Sequence, residues 1–114
     1  MERLDALHDL LAKVKAGGDV YDFGVVGGPT LRGYAEGACV GSLDAAKKLH
    51  EAVLPGWSYM VGVKGAAVSV PDAHDGSIGV VAGQTGFSGV SDGSARAWLI
   101  AILEALIALE EEKE

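Results

Sequence analysis

Three histidines, one cysteine, a glycine-rich run and a short acidic loop are the parts of this chain whose residue types could do chemistry. His8, His50 and His74 lie far apart in the sequence, and none stands four residues from another. The paired-histidine helix face of a zinc hydrolase is therefore missing. His74 lies in the loop PDAHDG, between Asp72 and Asp75. A calcium loop needs further acids at set spacings and a closing Glu, so this loop reads as a hydrated turn with no metal. Cys39 stands between Ala38 and Val40, with no neighbouring His or helix start to favour its thiolate. It reads as a small buried hydrophobe, not a nucleophile. No GxSxG elbow occurs, so no catalytic residue and no cofactor are predicted.

The run over residues 24–28, followed by Thr30 and Arg32, is the other candidate. It has neither the GxxxxGK[ST] spacing nor a GxGxxG between strand and helix. The plain reading is a flexible or closely packed loop. The functional reading is an anion cradle, with the amides of Gly27 and Gly28 joined by the Thr30 hydroxyl and the Arg32 guanidinium.

The elements that must position these groups follow from periodicity. Leu4, Leu7, Leu11 and Val14, with Leu10 beside them, form an apolar stripe that predicts a helix over residues 2–16. Gly17 and Gly18 end it. Residues 19–41 hold six glycines and Pro29 and keep no sustained period, so they read as loop with one or two short elements. Ser42 is an N-cap and Asp44 suits a first turn, with Leu43, Ala46, Leu49 and Val53 as the buried face of a second helix. His8 and His50 fall on the flanks of these two helices.

The period then changes to two. Trp57, Tyr59, Val61 and Val63 alternate with small or polar residues and predict a strand. Lys64-Gly65 reads as the hairpin turn, and Ala66, Val68 and Val70 as the returning strand. Residues 77–82 read as a third strand, and residues 83–91 as a loop or a short fourth strand around Phe87. The last helix, over residues 94–113, is apolar nearly all round, with only Arg96 and Glu104 breaking it before the acidic end. Such a helix must be covered on more than one side. Few residues are left to do so, which predicts a homodimer or higher homo-oligomer built on Trp98, Ile102, Leu103, Leu106 and Ile107. The alternative is burial by the first two helices.

The whole reads as one α+β domain: an antiparallel three- to four-stranded sheet packed with helices, in the manner of an α-β-α sandwich. Its 114 residues suit a single core, and 16 acids against nine bases give a net charge of −7. That balance argues against a nucleic-acid partner, which needs a basic face. The longest apolar stretch is too short for a membrane span, and the N-terminus lacks the pattern of a secretion signal. A cytoplasmic location is expected, with no membrane partner.

The stretch SLDAAKKLHEAVLPGWSY, residues 42–59, resembles the central motif of small bacteriophage and prophage proteins described as the phage ABA sandwich domain. The opening helix ERLDALHDLLAKVKAG and the closing helix SARAWLIAILEALIAL are similar too. Together the three stretches cover about half of the chain. The resemblance implies helices on both sides of a central antiparallel sheet, and a phage or prophage context in a host cytoplasm. It implies no catalytic residues. The function expected is that of a non-enzymatic accessory protein acting on a protein partner, a host or defence component. The alternative is a small-molecule or nucleotide-sequestering protein using Gly27, Gly28, Thr30 and Arg32.

Overall fold

Two glycine-closed turns shape the N-terminal half of the protein. A computed structural model describes residues 2–18, 23–71, 79–81, 83–91 and 93–113. The loop that carries Asp72, His74 and Asp75 lies outside the described residues. Helix α1 (Glu2–Lys15) buries Leu7, Leu10, Leu11 and Val14 along one stripe, as its spacing predicts. It ends where Gly17 takes φ +87°. The Gly17 N–H then donates to Val14 O at 3.1 Å and the Gly18 N–H to Lys13 O at 2.7 Å. This is a Schellman closure, which gives orphan carbonyls of the last turn a donor.

Helix α2 (Phe23–Cys39) closes in the same way. Gly41 donates to Ala38 O at 3.1 Å and Ser42 donates from its backbone to Gly37 O at 2.9 Å. Ser42 at once becomes the N-cap of α3 (Leu43–Val53), its hydroxyl accepting the Ala45 N–H at 3.1 Å, with Asp44 in the first turn. Both features agree with the sequence reading.

The existence of α2 corrects the expected loop over residues 19–41. The helix is two segments joined at Gly28, whose φ of 85° and ψ of 174° break the spiral. Pro29 follows, at a first helical position where its missing N–H costs nothing. Ala35 and Ala38 are buried, and Leu31 packs beside them at helical spacing. The glycines that hide this period also explain it. A Cβ on Gly37 would stand 2.7 Å from the Ala45 Cβ, so its absence lets α2 and α3 close up. Packing here outweighs a helix-propensity cost of about 1 kcal/mol per glycine.

The sheet is antiparallel, with strands β1 (Ser58–Val61), β2 (Gly65–Ser69) and β3 (Gly86–Val90) in that order. Tyr59 lies opposite Val68 and Val68 opposite Phe87; Val61 lies opposite Ala66 and Ala66 opposite Gly89. These two rows face the core. Two expectations shift. Among the described part of residues 77–82, only Val81 pairs, in an isolated bridge to Gln84, so the third strand is the segment around Phe87. The β1–β2 turn also comes earlier than Lys64-Gly65. Gly62 donates to Gly65 O at 2.7 Å, and Gly65 already belongs to β2.

Helix α4 (Ser94–Lys113) is the centre of the fold. The sheet covers one side of it, through β2 and β3, while α1, α2 and α3 cover the others. Trp98, Ile102, Leu103, Leu106 and Ile107, expected at a contact between subunits, are all buried inside the single chain. The helix missing from the sequence reading, α2, supplies cover that seemed to require a partner. A contact between copies would use other residues. The α+β class and the antiparallel sheet are as expected. The described helices, however, meet the sheet through the α4 side. Ser58, Met60, Ser69, Ser88 and Val90 on the opposite face are exposed, so among the described residues that face has no second helical layer of the kind the resemblance implies.

Candidate functional site

The proposed anion cradle does not come together. Gly27 and Gly28 lie at the kink of α2; Thr30 is exposed and Arg32 half-buried on the segment after it. Two residues apart on a helix means roughly 200° of rotation, so the hydroxyl and the guanidinium do not share a face. None of these four residues lines the clefts described here.

A different group of residues does converge, around His50. This side chain is buried, although the sequence reading put it on a flank. Its Nε2 lies 3.0 Å from Trp57 O, and the Trp98 indole Nε1–H reaches its Nδ1 at 3.3 Å. An indole nitrogen only donates and a carbonyl only accepts. The arrangement therefore requires a neutral imidazole with its proton on Nε2. That ring fastens the last turn of α3 to the start of β1 and to α4. Tyr59 completes the cluster, with its ring centroid 4.6 Å from that of Trp98 and 4.9 Å from that of His50. Such edge and tilted contacts are the favoured aromatic geometries.

Tyr59 and Trp98 floor a hollow of about 510 Å³ between α3, β1 and α4. Leu43 and Val63 form apolar walls, with Asp44 and Lys47 of α3 also lining it. Leu43 was expected in the core, but it is 48% exposed here. Ser94, at the start of α4, bonds through its hydroxyl to Gly62 O and Val63 O, which pins the β1–β2 turn beside the hollow.

The edge of β1 runs along this hollow. Bonded and non-bonded pairs alternate along an antiparallel ladder. The Gly62–Gly65 bond sets the phase. Met60 therefore bonds across to Ala67, while Tyr59 and Val61 sit at non-bonded pairs. Their N–H and C=O groups turn away from β2, toward an edge on which no described strand pairs. The site thus offers two residues' worth of backbone donors and acceptors beside an apolar, aromatic-floored trough.

Arg96 organises the other end of the molecule. Its Nη1 donates to Val14 O at 3.1 Å and to Gly18 O at 3.0 Å, and its Nη2 donates to Cys39 O at 2.9 Å. One guanidinium thus caps the C-terminal ends of α1 and α2, where the helix dipoles favour positive charge. Cys39 is half-buried beside it, with Sγ 3.9 Å from Gly18 O. In sequence Arg96 is only a break in an apolar helix; the sign of its role is that a charge on such a face needs partners. Arg96→Met keeps the stem and removes the donors. We expect it to lower stability by about 2 kcal/mol, read from the urea midpoint, and to speed amide exchange at Gly17, Gly18 and Gly41. Arg96→Lys should recover only part, because one ammonium lacks the span of the fork.

Among the described residues no group of three or more His, Cys, Asp or Glu is placed to hold a metal ion. No described helix is long and apolar enough to cross a membrane. Neither a protein-family model, nor a curated protein, nor a solved structure matches the chain.

Proposed function

We propose that this protein is non-enzymatic and works by binding a protein partner, taking an extended segment of it along the free edge of β1. One observation carries the reading: the outward backbone groups of Tyr59 and Val61 run beside the trough floored by Tyr59 and Trp98. An added strand would satisfy those groups, and every second side chain of it would enter the trough. The net charge of −7 favours a segment with basic residues between its apolar ones. An accessory role in a phage or prophage, and with it a host or defence component as the partner, rests on the resemblance of residues 42–59 and of the opening and closing helices alone.

The test is selection from a displayed library of random linear peptides on the immobilised protein. Peptides with alternating apolar residues should be enriched, and they should shift the amide resonances of Leu43, Tyr59 and Val61. Val61→Pro removes one outward donor and leaves the ladder to β2 intact, which edge strands tolerate. It should weaken binding of a selected peptide about tenfold while the denaturation midpoint stays near that of the wild type. No enrichment, or equal binding by Val61→Pro, would remove the reading.

A further inference from the structure

A second cleft, about 760 Å³, shares no lining residue with the β1 trough. It opens where α1 and α2 end, beside the β1–β2 turn and the start of α4. Lys15, Lys64 and Arg96 reach it from three separate elements. The chain has nine bases against 16 acids, yet three of the bases line this one cleft. No acid lines it among the described residues. Arg96 is held in place by the carbonyls of Val14, Gly18 and Cys39. A guanidinium has five N–H donors, so two are uncommitted among the described residues. The two helix C-termini bring only about half a negative charge each. Three full positive charges exceed that, so the described lining of the cleft carries a positive balance on an acidic protein.

We infer that this cleft binds a small phosphate-bearing molecule. A fixed guanidinium suits the planar, two-oxygen recognition of phosphate, and two flexible ammonium groups can close on it from either side. The volume is within the range of small-molecule sites. Gly17 and Gly41, with no side chains, form part of the wall and leave the approach clear. The site is independent of the β1 edge, so either can fail without the other.

Titration with inorganic pyrophosphate, AMP and adenosine, followed by amide resonances, tests this. Pyrophosphate and AMP should both shift Gly17, Gly41 and Lys64, and adenosine should not. Tighter binding of AMP would mark an organic phosphate as the ligand, and equal or tighter binding of pyrophosphate a free phosphate. Lys15→Gln and Lys64→Gln remove exposed side chains, so the fold should stand. Each should weaken binding about fivefold, and raised salt should weaken it further. Silence with both phosphates, equal binding of adenosine, or unchanged affinity in the double lysine variant would overturn the inference.

Discussion

Gly89→Ala is expected to cost about 3 kcal/mol or to unfold the protein, although it adds a single methyl group. Gly89 is the point where β3 rests on α4. A Cβ there would lie 2.3 Å from the backbone oxygen of Ala97 and 2.7 Å from the Ile100 Cβ. A carbonyl in a helix cannot rotate aside, and a Cβ cannot change rotamer. Strand and helix would have to separate, and the neighbouring contacts of Ala66, Val68 and Phe87 with the core would loosen with them. The same substitution at Gly33 serves as the contrast. Gly33 is exposed within α2, and a Cβ there meets nothing within 4 Å. Gly33→Ala should stabilise by up to about 1 kcal/mol, since alanine is the better helix former. Urea midpoints of the two variants should therefore move in opposite directions. A shared loss of similar size would mean that β3 does not sit on α4 as closely as described.

These two glycines also explain what the sequence could and could not disclose. Helices α1, α3 and α4 were legible because leucines, valines and isoleucines recur at helical spacing and because Ser42 and Gly17 mark boundaries. The β1–β2 hairpin was legible from its period of two. Helix α2 was not, because its inward face is written in Ala35, Gly37 and Ala38, which a hydrophobicity pattern reads as blank. Small residues there reflect the distance to α3, a tertiary quantity that no local period carries. The consequence reaches α4: without α2 it has too little cover, and its buried residues then resemble an interface. Strand β3 was reduced to a possibility for a related reason, since Gly86 and Gly89 stand where branched residues would announce a strand. At the site, His50 was readable after all: it lies four residues after Ala46 and seven after Leu43, on the same helical stripe. The sequence assigns that stripe to Leu43, Ala46, Leu49 and Val53; the structure buries Ala46 and Leu49 and leaves Leu43 half-exposed as a wall of the trough. The bonds of Arg96 had no local signal, because its three acceptors are 57 to 82 residues away in sequence.

His50 carries the other large effect. His50→Ala should lower stability by about 3 to 4 kcal/mol, from the void left by the ring and from two polar groups stripped of partners. The Trp98 indole N–H would lose its acceptor inside the core, and Trp57 O would lose its donor at the exit from α3. Two conservative variants separate these bonds. The amide of Asn reaches about as far as Nδ1, so His50→Asn should keep an acceptor for Trp98 and lose the bond to Trp57. The longer Gln reaches about as far as Nε2, so His50→Gln should keep the donor to Trp57 O and lose Trp98. Both should be milder than Ala. Of these two, only His50→Gln should speed exchange of the Trp98 indole proton. The same variant should also weaken peptides selected on the wild type, because Trp98 forms the floor of the trough beneath Tyr59. If Asn and Gln destabilise as much as Ala, the ring matters for its volume and not for its two bonds. If His50→Gln leaves the indole exchange and the peptide affinity unchanged, Trp98 is held by packing alone and the hydrogen-bonded chain from Trp57 to the trough does not act as one unit.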